Sequence, residues 1–305
     1  MRGIECCREF FIKTGLPMLK EKFTEELPFI AAGIAGRGSE CFGFDDKVSQ
    51  DHDFNTGFAL WLDDESEREF GFRLERAYRK LCCQLPRTAK SALGGAEHGV
   101  IRISDFFRRH LGFPGVPENW QQWYYTPSYA FAEVLNGAVF QEGTGEFSRI
   151  RQQIANKMPE DVRRKKIAHH AIMAAQSGQY NFSRCLKHHE KAAAEIALND
   201  FVRHALQLIF LLERKFAPYY KWIFRAAREL PEYGSLTADL EKLLTGELNC
   251  GEKIAAIEEI SGKIIAGFAG QDLSDSASDY LEDHAFAINS RIANRELQAL
   301  HLMEC

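Results

Sequence analysis

Between residues 29 and 62 two short apolar runs bracket a glycine turn and a pair of aspartates, and no other stretch narrows the fold as far. Phe29 to Ala35 is apolar and small, a strand or the end of a buried helix, and it delivers the chain into Gly36-Arg37-Gly38-Ser39. After eleven further residues comes Asp51-His52-Asp53-Phe54, then the insertion Asn55-Thr56-Gly57 and the strand-like run Phe58-Ala59-Leu60-Trp61-Leu62. A serine flanked by glycine leaves backbone N–H groups able to cradle a phosphate, because glycine tolerates the φ values and the close approach that other residues forbid. Aspartates at i and i+2 of a strand point to one face, so both carboxylates can hold one Mg²⁺ that also takes phosphate oxygens. His52 then faces the other way and reads as structural.

Around this centre the pattern predicts an α+β protein. One or two short helices cover Cys6 to Lys22, and a helix over Asp63 to Leu81 has its acids in the first turns, where the helix dipole favours them. Val100-Ile101-Arg102-Ile103 alternates like a strand, Ser104-Asp105 reads as a cap, and Phe106 to Leu111 as the helix it starts. The proline- and aromatic-rich stretch Gly112 to Tyr129 reads as an ordered domain junction. From Ala130 the periodicity is helical almost throughout, over 130–135, 147–157, 161–178, 182–212, 218–230, 235–244, 250–268 and 279–303. The expectation is a small mixed-sheet domain at 1–125 followed by an all-helical domain at 126–305.

With 305 residues, 45% of them hydrophobic, the chain can bury a full core in about two domains. The longest unbroken aliphatic and aromatic run, Leu208 to Leu212, is far too short for a membrane span, and the first residues lack the features of an export signal. Eight cysteines with no C-x-x-C spacing read as free thiols, so the expected setting is the cytoplasm, without a membrane. The net charge of −5 conceals an asymmetry: residues 149–228 carry 16 basic and 6 acidic side chains, residues 229–305 carry 5 and 15. Either the basic middle faces an anionic substrate such as a phosphorylated small molecule or RNA, or the acidic tail packs on it.

Gly38-Ser39, the eleven-residue gap, Asp51-x-Asp53-Phe54 and the apolar strand behind them resemble the signature of the DNA polymerase beta-like nucleotidyltransferase superfamily. The arrangement is most similar to the minimal and kanamycin nucleotidyltransferase types, whose catalytic domain precedes a helical one. That resemblance implies a turn at Gly38 and Ser39 on the nucleotide's phosphates and Mg²⁺ on Asp51 and Asp53. It also implies transfer of a nucleoside monophosphate, with ATP the default donor among nucleoside triphosphates and pyrophosphate released. Arg37, beside the turn, can add a charge-assisted phosphate contact or simply be a solvated loop arginine. Many members of the family carry a third carboxylate on a neighbouring strand. The best-placed residue here is Arg102, with Glu97 before the strand and Asp105 after it.

A second group of candidates lies in the helical half. Tyr219-Tyr220-Lys221-Trp222 follows Pro218 at a helix start, where aromatics and a lysine can stack a base and hold a phosphate or simply pack. Upstream, Arg184 and Lys187 at i and i+3 share one face. Arg184, Lys187, Tyr220 and Lys221 are therefore the expected acceptor contacts, for an anionic small molecule, a tRNA or a protein. The pairs His169-His170 and His188-His189 lack the spacing of a zinc site, since adjacent helical residues point about 100° apart. Two other functions fit the same residues: a non-catalytic nucleotide-binding module, favoured by Arg102, and an RNA- or protein-directed interaction protein using the basic helices.

Overall fold

The computed structural model describes residues 3–46, 56–83 and 97–303. Contacts divide the chain into two compact units, 1–118 with 129–157 and 119–128 with 158–305. Two neighbouring segments thus trade places in sequence, where one boundary at 125/126 was expected. The physical cause is a strand in the supposedly helical region.

The first unit begins with α1 (Gly3–Phe10), which runs through a π-helical turn (Phe11–Gly15) into α2 (Leu16–Lys22). Strand β1 (Ala31–Ile34) leads to the short α3 (Ser39–Phe42). The chain resumes into β2 (Ala59–Leu62), then α4 (Asp64–Ser66), a π-helical turn (Glu67–Gly71) and α5 (Phe72–Cys82). Asp63 caps α4 by accepting from the Glu65 and Ser66 amides. Next come β3 (Gly99–Arg102) and α6 (Ile103–Leu111); α7 (Trp120–Tyr125) belongs to the second unit; α8 (Ser128–Leu135), β4 (Ala138–Gln141) and α9 (Glu146–Asn156) follow.

The four strands form a mixed sheet in the order β3-β2-β1-β4. β1 pairs antiparallel with β2 (Ala31 opposite Trp61) and with β4 (Ile34 opposite Ala138), while β2 and β3 run parallel across the α5 crossover, as a parallel pair requires. β2 is buried on both faces. Leu60 and Leu62 join Phe58, Phe11, Phe70, Leu74 and Tyr78 in one core, and Trp61 stacks on Phe147, its ring centroid 3.9 Å away, with Phe106 edge-on. The helical reading from Ala130 is corrected at β4, whose four residues are recruited by β1. Asp105 is corrected too. Arg102 occupies the cap position of α6, and Asp105 sits inside the first turn, ion-paired with Arg108 at 2.7 Å.

The second unit is all-helical: α7, α10 (Glu160–Ala174) continuing π-helically over Ala175–Phe182, α11 (Ser183–Lys187), α12 (Lys191–Leu212), α13 (Tyr220–Ala227), α14 (Leu236–Thr245), α15 (Cys250–Gly270), α16 (Leu281–Ser290) and α17 (Arg295–Ala299). The expected 182–212 helix breaks where His189 takes a left-handed φ of 63°, and the expected 279–303 helix breaks between α16 and α17. α10 and α12 pair antiparallel, Arg163 donating to the Leu211 carbonyl at 2.9 Å near one end and Gly178 lying against Phe201 further along. The acidic tail packs on this basic pair through one continuous apolar core that includes Leu236, Leu240, Ile257, Ile264, Leu281 and Ile288. Lys165 is buried with its ammonium on Asn289 Oδ1 and the Gln298 and Leu300 carbonyls, fastening α10 to the C-terminal segment. Among the described residues no helix is long and apolar enough to cross a membrane.

Candidate functional site

The glycine turn is built directly off the sheet. After β1 the chain passes Ala35 to Gly36, whose φ of +120° suits glycine. Gly38 then caps α3 with φ −66° and ψ 145°. The first N–H groups of a helix point out along its axis, the orientation a phosphate needs. The Glu40 carboxylate folds back against the Gly38 Cα, and Glu40 is buried. Burial, with that carboxylate adding to it, holds the adjacent Cys41 thiol well above its ordinary value.

The turn is fixed from residues a hundred positions later. Asn136 accepts from the Gly36 amide at 2.9 Å and donates to the Gly36 carbonyl at 2.6 Å. Gly137 donates to the Cys41 carbonyl at 2.7 Å. Arg151 gathers the carbonyls of Val134, Leu135 and Asn136 with its guanidinium. Nothing in the local sequence marks these residues as part of the turn; β4 brings them there.

Beside the turn lies an acid–base group of which the sequence reading named only Arg37 and Glu97. The His110 ring sits 3.5 Å from where a Gly36 Cβ would be. Its Nδ1 is 3.0 Å from Glu133 Oε2, and its Nε2 is 3.6 Å from Glu97 Oε1. Glu133 Oε2 is also 3.5 Å from Arg37 Nε. The His110 side chain is 1% exposed, the Glu133 side chain 10% and the Arg37 side chain 47%. A buried carboxylate therefore orients a guanidinium that opens to solvent at the turn. Glu97, which precedes the strand, reaches this group and also pairs with Arg109 at 2.9 Å.

Asp51 and Asp53 lie outside the described residues. The chain entering β2 just after them is pinned: the Phe58 amide donates to the Tyr78 hydroxyl at 3.2 Å and the Gly99 amide to the Phe58 carbonyl at 3.1 Å. Arg102, on β3 where a carboxylate was sought, is paired with Glu67 at 2.6 Å, and that hydrogen bond raises its guanidinium above the ordinary value.

The acceptor candidates in the helical unit fall in two places. Arg184 and Lys187 are exposed on α11, Arg184 lying over the Tyr180 ring at 4.9 Å. Tyr220 and Lys221 are exposed at the start of α13. Tyr220 lies 4.4 Å from Tyr219, and Lys221 4.8 Å from the Trp222 ring. α11 precedes α12 and α13 follows it, a 22-residue helix and so about 33 Å long.

The same helices bring together three histidines. His169 and His170 on α10 meet His204 on α12, with His170 Nδ1 2.9 Å from His204 Nδ1. Burial lowers all three below the ordinary imidazole value, the surrounding histidines and cations adding to it; His204 falls to about 3. The sequence spacing concealed this group because its third member is on another helix.

Residues 123–223, about a third of the chain, match the model of a domain family described as a domain of unknown function (DUF4037). No curated protein matches. Among solved structures, a nucleotidyltransferase-like protein from Exiguobacterium sibiricum 255-15 aligns with a TM-score of 0.36 and 14% identity, covering 86% of this chain and 80% of that one.

Proposed function

We propose that this chain is a nucleotidyltransferase that moves a nucleoside monophosphate from a nucleoside triphosphate, ATP by default, to an acceptor and releases pyrophosphate. The observation that carries the reading is the order Gly38-Ser39, Asp51-x-Asp53, apolar strand, with Gly38 and Ser39 opening α3 directly off β1 and the aspartates just ahead of β2, its antiparallel neighbour. In this reading the backbone at Gly38 and Ser39 holds the β- and γ-phosphates, and Arg37, oriented by Glu133, adds a charge-assisted contact. Asp51 and Asp53 supply hard oxygen donors of the kind Mg²⁺ prefers, and the ion would neutralise phosphate charge. An acceptor hydroxyl, amine or phosphate attacks the α-phosphorus; the bond to the β-phosphate oxygen breaks and pyrophosphate leaves with that electron pair. Arg184, Lys187, Tyr220 and Lys221 are the proposed acceptor contacts, for an anionic small molecule, tRNA or protein side chain. The free thiols among the described residues suit a cytoplasmic setting.

A second reading, a nucleotide-binding module without transfer activity, is favoured by the Arg102–Glu67 pair where a third carboxylate was sought. One experiment separates the two. Pyrophosphate release is measured with each of the four triphosphates, Mg²⁺ and a cell-extract acceptor pool, for the native chain and an Asp51→Asn/Asp53→Asn variant. Release by the native chain alone supports transfer. Nucleotide binding without release from either chain selects the second reading.

A further inference from the structure

The geometry points to a zinc-type divalent metal site made by His169, His170 and His204 in the helical unit. The three side chains offer ring nitrogens that all lie within 4.8 Å of one another. A ligating imidazole places its nitrogen about 2.0–2.1 Å from zinc and its ring centre about 3.2 Å away, so tetrahedral angles separate the ring centres by about 5.2 Å. The observed separations are 4.9, 5.8 and 5.2 Å. His170 Nδ1 and His204 Nδ1, 2.9 Å apart, already stand at the spacing of two ligands about 90° apart on one ion, and a few tenths of an ångström opens that to a tetrahedral angle.

A second, independent observation concerns the orientation of His169. Its Nδ1 is 2.7 Å from the Leu302 carbonyl, so Nδ1 carries the proton and Nε2 keeps its lone pair. A backbone carbonyl on the far nitrogen is the support that metal-ligating histidines ordinarily have. Among the described residues the group closes at three imidazoles with no carboxylate, which selects a borderline metal such as Zn²⁺ over Mg²⁺ or Ca²⁺ and leaves the fourth position to water. The neighbouring ammonium groups are held by neutral acceptors, Lys165 on Asn289 Oδ1 and Lys166 on the Tyr124 carbonyl. A bound ion would tie α10 to α12 and, through His169, to the C-terminal segment at Leu302.

The test uses the full chain stripped with a chelator and then titrated with Zn²⁺ by calorimetry, with Co²⁺ as a spectroscopic stand-in. The expected result is one Zn²⁺ per chain with a Kd below about 10 µM, a raised melting temperature, and the visible bands of tetrahedral Co²⁺. His204→Ala and His170→Ala, each checked for helix content, should weaken binding at least about 100-fold. A His188→Ala/His189→Ala variant should bind as the native chain does. Absence of stoichiometric Zn²⁺ uptake and of tetrahedral Co²⁺ bands in the native chain would overturn the site. Uptake unchanged in both histidine variants would overturn it equally.

Discussion

Gly36 and Asn136 exchange two hydrogen bonds across a hundred residues of chain, the Gly36 amide donating to Asn136 Oδ1 and the Asn136 amide returning one to the Gly36 carbonyl. The pair does for the glycine turn what a strand neighbour would do for a strand, satisfying both backbone groups of a residue beyond the end of β1. Asn136→Ala removes both partners at once and should destabilise the first unit by about 1–3 kcal/mol. The sharper readout is local. Amide exchange at Gly36 should accelerate at least tenfold, while amides in β2 keep their protection. Unchanged exchange at Gly36 would mean the turn holds its shape without Asn136.

Gly137 and Gly145 give a matched pair of substitutions. Both have left-handed backbone, φ +73° and +74°. A Cβ on Gly137 would stand 1.9 Å from the Ile34 carbonyl oxygen, whereas one on Gly145 meets nothing within 4 Å. Gly145→Ala should therefore cost only the left-handed penalty, about 1 kcal/mol. Gly137→Ala must also push β4 from β1, and should cost several kcal/mol or prevent folding of the unit. Equal melting temperatures for the two variants would contradict the β1–β4 packing.

The thiols should divide by burial. Cys7 is pushed from 9.0 up to about 11, chiefly by burial, and Cys41 is raised as well, while Cys83 and Cys250 are exposed. At pH 8 the thiolate fraction of folded Cys7 is about 100-fold below that of an ordinary thiol, so alkylation with mass-spectrometric mapping should mark Cys83 and Cys250 first. The linked effect on stability has a definite sign. Between pH 9 and 11 the folded chain keeps a proton that the unfolded chain has lost, so stability falls as pH rises through that window, by about 2–3 kcal/mol at most from Cys7. Rising stability over that range would refute the burial of Cys7.

Local pattern was enough for elements whose burial is decided by their own residues. Phe58 to Leu62 reads as a strand because five apolar residues in a row can be covered only from both faces, as Leu60 and Trp61 are. Ala138 to Gln141 carries no such mark: four half-buried residues between two helices become a strand because β1 needs a second neighbour. The candidate site divides in the same way. Gly38 and Ser39 are legible as a turn from glycine chemistry, but Asn136, Glu133 and His110 join it only through tertiary contacts, 23 residues separating the last two. His204 is hidden from His170 by 34 residues and a helix turnaround.

Arg37 offers the most direct test of the nucleotide site within the described residues. Its guanidinium is half-exposed, and the carboxylate it pairs with, Glu133, is shared with His110. Such a group is oriented but not neutralised, since Glu133 divides its charge between two donors, and it can take a phosphate oxygen without giving up a buried ion pair. A charge-assisted contact of this kind is worth about 1.5–3 kcal/mol, so Arg37→Ala should raise the triphosphate KM about 10- to 100-fold in a pyrophosphate-release assay with little change in kcat. Arg37→Lys should recover part of the loss, because charge is kept while the fork geometry is not. Glu133→Gln should raise KM less than Arg37→Ala does, since the guanidinium remains and only its orientation is relaxed. A kcat loss with KM unchanged in Arg37→Ala would place the guanidinium on the transition state instead, and no change in either constant would remove Arg37 from the site.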